Sequence, residues 1–170
     1  MPEAIKTQLK VLCVDLADAK WVSHSQMHLT LRFIGDTDST QQEHLQTGLT
    51  SIHVTPFKMR LQGIGQFPPR GKPRIIWVGI EADSGLYDLQ KQIEAVIRTI
   101  GFEPTNHAFS PHITLARLKI PPSQTNLQHY FDEHRTFKTD AFDVERFILY
   151  SSQLTASGSI YRQEGVFKLT

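Results

Sequence analysis

Two tetrapeptides share one pattern of residue types. His28-Leu29-Thr30-Leu31 and His112-Ile113-Thr114-Leu115 each run His, apolar, Thr, apolar. In 170 residues with 8 His and 39% hydrophobic content, random placement yields about 0.1 such matches, so a matched pair calls for a shared role. In an extended chain, side chains two apart point the same way and their neighbours point oppositely. His28 and Thr30 therefore share one face while Leu29, Leu31 and Phe33 turn to the core. By the same reasoning His112 and Thr114 face away from Ile113 and Leu115. Two halves, each donating one His and one hydroxyl to a common site, form the expected arrangement. Paired imidazoles suit the opening of a cyclic phosphate. One takes a proton from attacking water while the other, protonated, supplies one to the departing ribose oxygen. The Thr hydroxyls can donate to the nonbridging phosphate oxygens, on which charge grows along the reaction path. Such chemistry is expected to peak near neutral pH and requires no metal.

Residues of this kind need strands to hold them. Strand-like runs cover Met27 to Ile34, Phe57 to Leu61, Ile75 to Ile80, His112 to Leu118, Val144 to Ser151 and Ile160 to Leu169. The clearest helix spans Ser84 to Ile100. Leu86, Leu89, Ile93, Val96, Ile97 and Ile100 recur there at helical spacing, with Asp83 or Ser84 as cap and Gly101 as stop. Shorter helices are expected from Thr40 to Ser51, from Thr125 to His134, and after Pro2, where Glu3 complements the helix dipole. Gly63 to Pro73 and Pro121-Pro122 read as long loops. The alternating strands, interrupted by Asp-Ser-Gly and Ser-Gly turns, favour an antiparallel α+β fold over a doubly wound parallel sheet.

The composition suits one compact domain over residues 1–170 with a sizeable core. Cys13 is the single cysteine, so no intramolecular disulfide forms, and the start of the chain lacks a basic, then apolar leader. A cytoplasmic location is expected. No stretch reads as a membrane span. The formal net charge of +1 excludes a strongly basic coat that binds any phosphate backbone; a nucleic-acid substrate would be recognised locally, at an end or a single nucleotide.

With these residues in view, the sequence resembles the two-histidine phosphoesterase superfamily, in its RNA 2′,3′-cyclic phosphodiesterase branch, historically called the 2′-5′ RNA ligase family. The likeness covers nearly the whole chain. Beyond the two tetrapeptides it includes Trp21-Val22, Phe33-Ile34-Gly35, Phe109-Ser110-Pro111, Ala116-Arg117 and the segment from Ile148 to Leu169. The resemblance implies a bilobal, pseudo-twofold α+β fold, with two antiparallel sheets lining a central cleft and helices outside. It implies that His28 protonates the leaving 3′-oxygen, that His112 activates water, and that Thr30 and Thr114 hold the phosphate, leaving a 2′-phosphate. Its partners would be RNA ends or nucleotides bearing a 2′,3′-cyclic phosphate, with no cofactor and no obligate protein partner. The resemblance also makes Arg117 a substrate-neutralising residue. Strict alternation puts Arg117 opposite His112, so a direct role requires the strand to end or bulge near Ala116. Arg32 shares the face of His28 and is a secondary phosphate candidate. Family members carry a short apolar strand before the first helix, which this chain is expected to lack.

Other readings weigh less. His24 and His28 are four apart, as in a helical metal pair, but the segment reads as strand and no Glu stands between them. Trp77 is read as core, while Tyr150 and Tyr161 are left open between packing and base stacking. Two alternatives to hydrolysis remain: an ATP-independent 2′-5′ RNA ligase or transesterase using the same site, and a nucleotide-binding module with little turnover. Two titrating groups favour catalysis, since binding alone needs only phosphate contacts.

Overall fold

Helices form where apolar residues recur at helical spacing between good caps. The computed structural model describes residues 1–14, 16–155 and 158–170. In it α1 (Glu3–Gln8) follows Pro2 and runs into a 3-10 turn at Leu9–Leu12. Helix α2 (Ser39–Leu49) opens with a capping box, in which Gln41 N donates to Asp38 Oδ1 at 2.8 Å and Asp38 N to Gln41 Oε1 at 3.1 Å. Helix α3 (Ser84–Thr99) buries Leu86, Leu89, Ile93 and Ile97. Asp83 accepts from Gly85 N at its start, and Gly101, at φ +100°, ends it. Helix α4 (Gln124–His134) is capped by Ser123.

Among the described residues seven strands complete the α+β fold: β1 (Ala19–Trp21), β2 (Phe57–Phe67), β3 (Ile75–Ala82), β4 (His112–Leu118), β5 (Phe142–Val144), β6 (Arg146–Thr155) and β7 (Gly158–Lys168). Five form a sheet in the order β1-β4-β3-β2-β5, and β6 pairs with β7. The β1–β4, β3–β4 and β6–β7 pairs are antiparallel. The Ser-Gly turn expected between β6 and β7 includes Ser157, which lies outside the described residues.

Several sequence expectations are corrected. Met27 to Ile34 is no strand: only Leu29 pairs, through an isolated antiparallel bridge to Ile113. Phe33, expected in the core, is 76% exposed, because without a ladder alternation has nothing to enforce it. The loop expected from Gly63 begins later, since β2 continues to Phe67. Gly63, at φ +71°, stays tied through its N–H to Phe137 O at 3.0 Å; a glycine here bends the strand without ending it. The run from Val144 to Ser151 is broken at Glu145 into β5 and β6. Strand β1 went unforeseen because three residues carry no readable alternation.

The chain divides into two compact units. The first comprises Met1–Thr30, Met59–Glu81 and Ser110–Phe142. Its core holds Leu9, Leu12, Leu61, Ile76, Val78, Ile113 and Leu115, each at most 1% exposed. Two polar anchors secure it: Tyr130 donates to Leu12 O at 2.7 Å, and the buried Thr139 hydroxyl accepts from Leu61 N at 3.0 Å. The second comprises Leu31–Lys58, Ala82–Phe109 and Asp143–Thr170. There Gly48 lies under Val96, where a Cβ would meet its Cγ1 at 2.9 Å, so only glycine lets α2 approach α3 this closely. Phe147 and Phe167 stack between β6 and β7, with centroids 4.9 Å apart. Both His-x-Thr motifs fall within the first unit, which corrects the expectation that each half donates one histidine. Charge divides unevenly as well. The first unit has eleven Lys and Arg against seven Asp and Glu, a net +4, and the second has seven against ten, a net −3. Among the described residues no helix is long and apolar enough to cross a membrane.

Candidate active site

Strand β4 carries the second motif, and its register with β3 decides what else lies on the same face. Gly79 opposes His112, Trp77 opposes Thr114, and Ile75 opposes Arg117, while Ile76 and Val78 oppose Ala116 and Ile113. One step along β3 from Ile76 to Trp77 spans two steps along β4, so Leu115 is an extra, bulged residue. Leu115 and Ala116 both enter the core, at 0% exposure. The bulge resets the alternation. Ile75, Trp77 and Gly79 share one face of β3, so their partners Arg117, Thr114 and His112 share the corresponding face of β4. The break required near Ala116 for Arg117 to join His112 is present.

The first motif lies along the other edge of β4. Strand β1 pairs Ala19 with Leu118, Lys20 with Arg117 and Trp21 with Ala116, and Val22 N then donates to Leu115 O at 2.8 Å. The chain leaves this edge through a 3-10 turn at His24–Gln26 and returns at the Leu29–Ile113 bridge. Antiparallel continuation from that bridge sets His28 opposite Thr114 and Thr30 opposite His112. Directly opposed residues have Cβ atoms about 4.5–5.5 Å apart and diagonal ones roughly 7–8 Å. By that register the two histidines fall on one diagonal and the two threonines on the other. A further rung on the same face, Lys20 with Arg117, completes the set.

Both imidazoles are held in the same way. His28 Nδ1 lies 2.6 Å from Gln26 O, and His112 Nδ1 lies 2.7 Å from Ser110 O. A carbonyl only accepts, so each Nδ1 carries hydrogen, and Nε2 is the nitrogen of each ring left to exchange a proton. A ring so fixed keeps one tautomer and one orientation while its other nitrogen changes protonation.

His112 has a second support in two aromatic rings of β2 and β3. Phe67 meets it edge-on, with centroids 5.0 Å apart, Trp77 lies 6.2 Å away, and Phe67 and Trp77 contact each other at 5.4 Å. Trp77 was expected in the core. It is instead half-buried on the face of His112 and Thr114, because the bulge keeps it in phase with them. The ring lies over Gly65, where any Cβ would run into the indole. Sequence reasoning passed over Phe67, Gly65 and Lys20. Only pairing register reveals them, and the Gly65-Gln66-Phe67 run next to two prolines disguises itself as loop.

Arg32 takes a different place from the one expected. Its guanidinium pairs with Glu94 at 3.0 Å and donates to Phe33 O at 2.8 Å and to Glu103 O, all within the second unit, and its side chain is 10% exposed. A strand arginine read as solvated thus has its donors committed. His24 Nδ1 lies 3.7 Å from Glu3. Among the described residues no three His, Cys, Asp or Glu side chains cluster as a metal site would require. Tyr150 and Tyr161 pack edge-to-face at 6.2 Å on the β6–β7 hairpin, both exposed.

Known proteins are similar to this chain in sequence and in fold. A family model described as the 2′-5′ RNA ligase superfamily matches residues 2–155. The RNA 2′,3′-cyclic phosphodiesterase of Aeropyrum pernix is 33% identical over 144 residues, which are 84% of this chain and 82% of that protein. The protein of the same name from Archaeoglobus fulgidus is 28% identical over 169 residues, covering 98% and 92%. Among solved structures, TT0787 of Thermus thermophilus matches with a TM-score of 0.83 at 27% identity, over 99% of this chain and 93% of that one. Escherichia coli LigT complexed with 3′-AMP shares the fold, with a TM-score of 0.78 at 24% identity over 100% and 94%. With a family model spanning both His-x-Thr motifs and relatives aligned over most of its length, the chain belongs to the 2′-5′ RNA ligase superfamily of two-histidine phosphoesterases.

Proposed function

We propose that the protein is an RNA 2′,3′-cyclic phosphodiesterase, a phosphoric diester hydrolase that opens a terminal cyclic phosphate to a 2′-phosphate. One observation carries the reading: the Leu29–Ile113 bridge joins the two motifs, and in each the histidine is fixed through Nδ1 by the carbonyl two residues earlier, with a threonine two residues on. The names of the relatives point the same way.

The steps follow from what each group can exchange. His112 Nε2, neutral, takes a proton from water as its oxygen bonds to phosphorus. His28 Nε2, protonated, gives its proton to the ribose 3′-oxygen as the P–O3′ bond breaks. The product is a 2′-phosphate beside a 3′-hydroxyl. Thr30 and Thr114 donate to the nonbridging oxygens, where charge accumulates. Arg117 supplies a cation on the same face. Arg32 would join only by releasing Glu94, and its role in this reading is to hold its own segment. No metal or cofactor enters these steps, residues 1–170 act as one catalytic domain, and the site of action is the cytoplasm.

The test is turnover of an oligonucleotide ending in a 2′,3′-cyclic phosphate in excess EDTA, with the product isomer identified. A 2′-phosphate from the unaltered protein, lost in both His28→Ala and His112→Ala, supports the reading. Binding without turnover makes the protein a recognition module, and turnover surviving both substitutions removes the histidines from the chemistry.

A further inference from the structure

Lys20 and Arg117 oppose each other directly across β1 and β4, and register puts both on the face of the His-Thr quartet. Like charges set opposite each other in a sheet repel, yet neither side chain takes part in an ion pair among the described residues. Both are exposed. The arrangement becomes favourable once an anion bridges the two. The neighbourhood adds positive charge: Leu118 N donates to Arg74 O at 2.8 Å, which brings to this end of the sheet the close of a segment bearing Arg70, Lys72 and Arg74. The unit that holds them is the positive one, at +4 against −3.

Spacing identifies the anion. On β3, the partners of Arg117 and Thr114 are Ile75 and Trp77, two residues apart, so the cation rung stands roughly 7 Å from the neighbouring Thr114–His28 rung. That is about one nucleotide along a single strand. We propose that Lys20 and Arg117 form a second phosphate subsite, which takes the internucleotide phosphate next to the terminal cyclic phosphate. The inference rests on the proposed function and narrows its substrate class: RNA ends of two or more nucleotides, in preference to cyclic mononucleotides, which have no phosphate to offer there. Lys20 is the new residue and binds substrate without taking part in the proton transfers.

The experiment compares kcat/KM for a cyclic mononucleotide and for a tetranucleotide ending in a 2′,3′-cyclic phosphate, in the unaltered protein and in Lys20→Glu and Lys20→Arg. The ratio of tetranucleotide to mononucleotide kcat/KM is expected to fall about tenfold in Lys20→Glu, the size of one charge-assisted contact, and to be restored in Lys20→Arg. The salt slope for the tetranucleotide should shrink by about 0.7 in Lys20→Glu, as expected when one phosphate of a single strand is no longer neutralised. An unchanged ratio, or an equal loss on both substrates, overturns the subsite. If the unaltered protein turns over neither substrate, the proposed function fails instead. The subsite is then judged by fluorescence anisotropy of a 3′-phosphate tetranucleotide: weaker binding by Lys20→Glu upholds it, and equal binding removes it.

Discussion

The two His-x-Thr motifs are alike in sequence and unlike in support. The second rides on β4, a seven-residue strand paired on both edges, with Phe67 and Trp77 against the ring of His112. The first meets the sheet through one bridge, at Leu29, after a 3-10 excursion, and Phe33 beyond it is exposed. Yet each imidazole is oriented by the same device, a backbone carbonyl two residues back. An identical local contact can thus be reproduced on a strand and on a near-irregular segment. What differs is the backbone that carries it: a strand paired on both edges beneath His112, and a single bridge beside His28.

The largest expected effect tests whether the motifs are equal in chemistry. His28→Ala and His112→Ala should each lower kcat by roughly 10²–10⁴, and the double variant should fall little further, because acid and base act as a unit. Single-turnover kinetics would measure it, and a much smaller loss at one motif breaks the equivalence. Next come the hydroxyls. Thr30→Val and Thr114→Val keep the branched shape and remove the donor, and each should cost about 10² in kcat if it contacts developing charge; an effect on KM alone would make the threonines mere ground-state binders.

The third prediction separates the motifs by their support. Gly65→Ala forces a methyl into the Trp77 ring and should destabilise the fold by about 1–3 kcal/mol in a denaturant titration. The His112 ring resonances should move by NMR while those of His28 stay nearly still. Equal movement at both would mean that the aromatic contacts do not support the second motif selectively.

The last prediction concerns the packing beneath the sheet. Burial first, and the nearby Cys13 thiol second, push the Tyr130 phenol well above its ordinary 10.0. Above about pH 10 the unfolded phenol ionises while the folded one keeps its proton, so the unfolded state binds fewer protons and stability falls as pH rises. Tyr130→Phe should lose about 1–3 kcal/mol at neutral pH, since Leu12 O loses its donor, and should decline less steeply in alkali. A parallel decline in both proteins would assign the alkaline loss to other groups.

Much of this was legible in the sequence. Helix α3 was located by its apolar spacing and by Asp83 and Gly101, and α2 and α4 began within one residue of expectation, because caps and periodicity are local properties. Strand β4 was found with both its ends. The stretch around His28 was misread because a regular apolar pattern does not guarantee a partner for each backbone group. Arg32 was misread because the strand count supplied a face but not the carboxylate of Glu94, 62 positions later in the chain.

By itself, then, the sequence determined which residues could do the chemistry: two histidines and two threonines in one register, carried by an antiparallel α+β chain. The tertiary structure alone decided that both motifs belong to one unit. It also decided that Leu115 is extruded as a bulge, so that Arg117 turns to the face of His112, and that Lys20 stands opposite it. The physical reason is that alternation along a strand is local, whereas register and bulges depend on which distant backbone supplies each hydrogen bond. One residue of slip exchanges the two faces of a strand, and nothing in Thr114-Leu115-Ala116-Arg117 taken alone says where that slip occurs.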